Sequence, residues 1–104
     1  MKKDNSLSEL IKSKLFDLMD SLTNDQFIIY FNNCEDTVKY VLSTGELLRR
    51  IPDMSTSQLI ALLETNLNNK YKVRDYVENE LRRRIKNLEV NELLCLNNLL
   101  KKES

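Results

Sequence analysis

Few side chains in this sequence are placed to do chemistry, and the most prominent are three consecutive arginines, Arg82, Arg83 and Arg84. With Lys70, Lys72, Arg74 and Lys86 they make the segment 70–86 basic along its solvent side. Cationic side chains at that density suit contacts with a phosphate backbone. The segment also carries its own counter-charges. Glu78 precedes Arg82, and Glu80 precedes Arg84, by four residues, in the acid-first order that favours pairing on a helix. Basic residues further suit the last turn of a helix, where the backbone dipole is negative. Self-pairing is therefore the leading reading of the arginines and phosphate contact the second.

Other chemistry is poorly supplied. There is no His, which removes imidazole as a general base, as the centre of a nucleophilic triad and as a metal ligand. The only Gly is Gly45, so no Gly-rich loop can cradle a phosphate. Asp17, Asp20 and Asp25 would hold a divalent cation only if their oxygens converged from a shaped loop or facing helices. Their spacing places them on a polar helix side and at a helix start instead. Cys34 and Cys95 are far apart in the chain, and two thiolates without His make no Cys/His zinc site. Buried free thiols in a reducing compartment are expected. No catalytic residue, cofactor site or metal site is expected, and the chain does not read as an enzyme.

The charge balance adds to this. Lys plus Arg and Asp plus Glu both number 16, so nothing draws the whole chain to nucleic acid or an anionic membrane. The longest apolar run, Phe27 to Phe31, is far too short to span a membrane. The start "MKKDNS" lacks the apolar core of a secretory signal. A cytoplasmic location, of the protein's own cell or of a host, is the expectation. Abundant Asn and Lys are associated with AT-rich genomes, bacterial or phage among them.

The elements that position these residues read as helices throughout. Ser6–Glu9, Thr23–Gln26 and Ser55–Gln58 have the residue types of capping boxes. They open predicted helices over about 7–22, 24–34 and 56–67. Asp36 caps another, which Gly45 interrupts or bends and Pro52 stops. Two more are predicted over about 70–86 and 89–101. "FIIYF" in the second helix is apolar almost all round and predicts a central, buried segment. Phe27, Tyr30 and Phe31 within it read first as core and second as an interface anchor.

The chain also repeats itself. "ELLRRIPDMSTSQLIALL" at 46–63 returns as "ELRRRIKNLEVNELLCL" at 80–96. Gln26, Gln58 and Glu92 hold the same place at the start of three apolar helices, with spacings of 32 and 34. The unit is helix A, a short break, then helix B. A period near 33 suits an array of helical hairpins, and a plain bundle is the alternative.

Residues 54–85, "MSTSQLIALLETNLNNKYKVRDYVENELRRRI", are similar to the helical hairpin of Sda-type proteins, small inhibitors of sporulation histidine kinases. The similarity lies in the Met-Ser opening, the Asn-rich middle and the "VENELRRR" close. It covers less than a third of the chain, and no family is assigned from it. It implies binding to a partner's helices through this hairpin.

The expected fold is all-α, a single domain over residues 1–104 with frayed ends at 1–5 and 102–104. Five or six short helices would pack as antiparallel hairpins, in a compact bundle or a short repeat array. The final helix is the strongest candidate for contact, because Val90, Leu93, Leu94, Cys95, Leu96, Leu99 and Leu100 leave it little polar face. The expected function is a non-catalytic protein–protein interaction module, a small regulator, inhibitor or adaptor docking on a larger protein. Leu93, Leu94, Leu96, Leu99 and Leu100 would form the contact, with Arg82, Arg83 and Arg84 as a polar rim. A homodimer through the C-terminal helix is a second arrangement. A dimeric nucleic-acid-associated regulator using helix 70–86 is the alternative function.

Overall fold

The computed structural model describes residues 6–66 and 72–103. Six α-helices follow one another among them: α1 (Leu7–Asp17), α2 (Asn24–Asn32), α3 (Thr37–Arg50), α4 (Thr56–Thr65), α5 (Val73–Arg84) and α6 (Val90–Glu103). The expected fraying at 1–5 and the predicted end of the fourth helix at 67 lie outside the described residues, as does Lys70.

Capping chemistry sets the helix starts. Ser6, Thr23, Asp36 and Ser55 are extended, and each accepts a hydrogen bond from the amide three residues on, at 3.0–3.2 Å. Gln26 and Gln58 reach back to the amides of Thr23 and Ser55, both at 2.9 Å. The carboxylate of Glu92 does the same for Glu89, also at 2.9 Å. The recurring Gln, Gln and Glu thus do one job three times, each fixing the start of a helix B.

The other recurring part is the break between A and B. Where the sequence predicts long A helices, the structure ends each in a 3-10 turn: Met19–Ser21 after α1, Ile51–Asp53 after α3, Ile85–Asn87 after α5. Leu22, Met54 and Leu88 then extend the chain into the next cap. Pro52 lies inside its turn, at a position where it gives up no helical hydrogen bond. The fifth helix starts at Val73 rather than 70, after Lys72 in the left-handed region at φ 64°.

Three hairpins result: α1–α2, α3–α4 and α5–α6. They are stacked in order. The B helices lie side by side, α2 on α4 and α4 on α6, and α5 packs back along α4. Hydrogen bonds repeat across the row at the sequence period. Gln58 donates to Asp25 at 2.8 Å and Thr65 to Asn32 at 2.9 Å, each 33 residues away. The chain measures 51 × 29 × 19 Å with a radius of gyration of 15.3 Å. A round domain of this length has about 13 Å. The hairpins therefore form a short, elongated stack.

The core runs along the stack between the rows. Phe27 and Phe31 from α2, Leu47 from α3, Leu59, Leu62 and Leu63 from α4, and Val73 and Val77 from α5 are all buried, joined at the third hairpin by Leu96 and Leu99. The aromatic cluster is core: Phe27 and Phe31 are fully buried, and Tyr30 packs half-buried beside them. Yet α2 is not buried all round, because Ile29 faces outward.

Gly45 does not interrupt α3, which runs unbroken from Thr37 to Arg50. Its φ is not positive, and a Cβ placed there meets nothing within 4 Å. Glycine here carries only its helix penalty. Gly45→Ala is expected to stabilise the protein by about 0.5–1 kcal/mol. A rise in urea midpoint at unchanged slope would verify this.

Candidate interaction surface

The arginines are placed by the repeat. In the second hairpin, Arg50 stands one turn after Glu46. Its Nε donates to Glu46 Oε2 at 2.6 Å. Nη1 donates to Asn24 Oδ1 at 2.9 Å and Nη2 to the carbonyl of Met19 at 3.1 Å. The guanidinium also sits 4.9 Å from the centre of the Phe27 ring. One side chain of the second hairpin thus adds a donor to the 3-10 turn of the first and covers its core phenylalanine.

The third hairpin repeats this in register. Arg84 Nε donates to Glu80 Oε2 at 2.9 Å. Its Nη2 donates to the carbonyls of Ile51 and Pro52, at 3.3 and 3.2 Å. The Ile51 carbonyl already accepts from the Met54 amide at 3.1 Å, and the following hairpin adds a second, charged donor to this turn. Arg49 and Arg83 take the second oxygen of the same glutamates from the exposed side.

These pairs set the titration of the two acids. Burial pushes the Glu46 carboxyl up, but hydrogen bonds from Arg49 and Arg50, with their charges, outweigh it and hold it below the usual carboxylate range. For Glu80 the hydrogen bond from Arg83 is the largest effect; it outweighs burial, and Arg84 adds to it. Both carboxyls therefore have a lower pKa folded than unfolded. The unfolded chain binds more protons on the acid side, so stability rises with pH there. This contribution is complete above the free carboxylate value, about 4.3, and is lost as pH falls through the folded values. A Glu46→Gln, Glu80→Gln variant is expected to be less stable at neutral pH and to lose less on acidification. Urea midpoints at pH 7 and between about pH 5 and 3 measure both effects.

The remaining basic side chains of α5 are also engaged. Arg82 donates to Asn79 Oδ1 at 2.6 Å and, at 3.5 Å, to Glu78. Arg74 donates to Glu78 at 2.7 Å. The predicted pairs Glu78–Arg82 and Glu80–Arg84 both form. Arg84 is not a rim residue, as its guanidinium is held between two hairpins; Arg82 and Arg83 remain at the surface.

The predicted leucine set divides. Leu96 and Leu99 are buried in the core, and of the two only Leu96 reaches the floor of a groove. Leu100 is half-buried against them. Leu94 is exposed with Val90, and Leu93 stands at the edge of a groove. The groove, about 380 Å³, runs between α5 and α6 and is lined by Leu81, Ile85, Leu93, Leu96 and Leu100, with Glu78, Arg82 and Asn97 beside them.

Sequence reasoning missed the importance of Ile85. Its counterpart in the second hairpin, Ile51, is 4% exposed and lies beside α5 of the third hairpin. Ile85 is 52% exposed. Phe27 and Leu59, at matching places in α2 and α4, are fully buried, whereas Leu93 is 38% exposed. The two earlier hairpins have this face covered by the hairpin that follows, and the third shows it bare. The signal was present in the 34-residue spacing of Ile51 and Ile85.

Residues 54–85 do contain a hairpin, α4 with α5, but its inner side chains Leu59, Leu62, Leu63, Val73, Val77 and Leu81 are buried within the stack. It is not a free arm. The thiols differ from expectation as well: Cys34 is half-buried and Cys95 exposed, because α6 turns Leu96 and Leu99, not Cys95, to the core. Asp17, Asp20 and Asp25 are exposed, and no three His, Cys, Asp or Glu side chains among the described residues converge to hold a metal ion. No helix among them is long and apolar enough to cross a membrane.

Fold and surface together define a short stack of helical hairpins with an uncovered stacking face on its third unit. Comparison with protein-family models, with curated proteins and with solved structures finds no match to the chain.

Proposed function

We propose that the protein is a non-catalytic, intracellular protein–protein interaction module, an adaptor or regulator that docks into a larger assembly through the open face of its third hairpin. The observation that carries this reading is the contrast between Ile51 and Ile85. The same side chain, at the same place in the repeat, is covered in one hairpin and bare in the next. Ile85 lines one groove with Leu93, and Val90 and Leu94 are exposed on the same helix as Leu93. Exposed apolar surface grouped in this way marks contact sites in proteins that remain in solution.

The nucleic-acid reading gains no support from the geometry. Arg74, Arg82, Arg83 and Arg84 already bond to Glu78, Glu80 or backbone carbonyls. A phosphate would have to compete with those partners.

A photo-crosslinking side chain placed at Leu94 tests the proposal in the cell. It is expected to yield a specific protein adduct that Val90→Glu abolishes, with helix content unchanged by circular dichroism. The same group placed at exposed Glu64 on α4 is the control. Equal labelling from both positions, or none, overturns the reading.

A further inference from the structure

The two ends of the stack are complementary. Between the second and third hairpins, α5 lies against the second with Val73, Val77, Glu80, Leu81 and Arg84, all buried or half-buried. These are positions i, i+4, i+7, i+8 and i+11. The first helix and its C-cap carry Leu7, Ile11, Lys14, Leu15 and Leu18 at the same intervals. That set is the same place in the repeat, one full pair of periods earlier. No residue of α1 is buried, and Leu7, Leu10, Ile11 and Leu18 are all exposed. The first hairpin therefore shows a bare docking helix, and the third shows the bare groove that such a helix fills elsewhere in the chain.

We propose that copies of this chain stack head to tail, with α1 of one copy lying in the α5–α6 groove of the next. This rests on the reading of the third hairpin as a docking face and names its occupant. Leu7 and Ile11 take the places of Val73 and Val77, and Leu18 takes that of Arg84. Ile85 and Leu93 of the receiving copy become covered as Ile51 and Leu59 are. The contact continues an interface that the chain already makes twice within itself.

Charge follows the same register. Between the first and second hairpins Arg49 and Asp20 attract one another, a smaller influence on Arg49 than its bond to Glu46. At the corresponding places between copies the signs are exchanged. Asp17 stands where Arg49 does, and Lys86 where Asp20 does. The attraction is kept with both charges reversed.

Two features make the contact between copies weaker than those within one. Lys14 and Leu18 replace the Glu–Arg clamp, so no guanidinium reaches the carbonyls of the 3-10 turn at Ile85. Asn97 stands where Phe31 and Leu63 fill the groove in the first two hairpins. The association is therefore reversible and concentration-dependent. Because its two surfaces differ, it is open-ended and does not close on a two-fold axis.

The test uses the full chain and sedimentation velocity over a range of concentrations. The wild type is expected to grow in mass with concentration. Ile11→Glu and Ile85→Glu each alter an exposed residue, and each alone is expected to weaken association about tenfold or more, the effect of about 1.4 kcal/mol. Mixed in equal amounts, they pair one intact helix with one intact groove and are expected to form a dimer that grows no further. Asp17→Lys is expected to weaken the wild-type contact, and adding Lys86→Asp to restore it. A wild type that stays monomeric at millimolar concentration overturns the proposal, as does a closed dimer or a mixture that stays monomeric. If the wild type is monomeric while the crosslinker at Leu94 captures a different protein, the self-stacking fails and the docking face stands. If Leu94 captures neither, both fail.

Discussion

Arg50→Ala is expected to cost about 3 kcal/mol of stability, the lower end of the range for breaking a buried ion pair. Arg50 is placed for such an effect: its side chain is only 11% exposed, and its loss strands several groups at once. Glu46 keeps only the exposed Arg49. The amide oxygen of Asn24 loses this donor, the carbonyl of Met19 keeps only the Leu22 amide, and Phe27 loses its cover. On a domain of this size the melting temperature should fall by about 15 °C. Arg49→Ala is the matched control. Arg49 binds the same glutamate but is 68% exposed, so solvent screens the pair and its removal should cost far less than that of Arg50. Arg50→Lys should recover only part of the loss, since one ammonium cannot reproduce the planar set of contacts. Urea unfolding followed by circular dichroism separates the three. Equal effects at positions 49 and 50 would show that the clamp between hairpins contributes nothing.

The same clamp shows what could be read from the sequence and what could not. The pair Glu80–Arg84 follows from i,i+4 spacing alone, and its copy Glu46–Arg50 from the repeat. Local geometry determines such pairs. The second half of the clamp, from Arg84 to the carbonyls of Ile51 and Pro52, joins residues 33 and 32 apart. Nothing local specifies it. The starts of α1, α2, α3 and α4 were legible for the same local reason, since their side-chain caps are complete within four residues, whereas α5, with no side-chain cap, starts three residues later than its sequence suggests. The 3-10 turns were not, because the sequence of an A helix continues its apolar period to the last residue, and the tightening serves the contact with the following hairpin. Likewise Leu96 and Leu94 are indistinguishable as letters in "LLCLNNLL". Their fates differ because α4 lies on one side of α6, while Leu94 on the other stays exposed among the described residues.

The stack as a whole is held by nearest-neighbour contacts, so damage at one boundary should be felt first by the hairpins that share it. Phe31→Ala is the most severe case expected, a loss of about 4 kcal/mol, as for a fully buried Phe truncated to a cavity. The ring is fully buried and stacked on Tyr40 of α3, centroids 4.6 Å apart at 25°, with Phe27 at 5.7 Å on α2. Tyr40 in turn donates to Asn66 Oδ1 at 3.0 Å, and Asn66 donates to the carbonyl of Leu62 at 2.7 Å. Removing the phenylalanine frees the tyrosine that ties the first hairpin to the end of α4. A domain of this size has only about 5–15 kcal/mol in total, so the variant should be partly unfolded near 37 °C. Phe31→Leu keeps most of the apolar volume and should cost less than half as much. Hydrogen exchange gives the spatial test. Amides of α2 and α3 should lose protection first, and those of α6 last. Uniform loss across all six helices would mean that the chain unfolds as one cooperative body and that the repeat is a matter of shape alone.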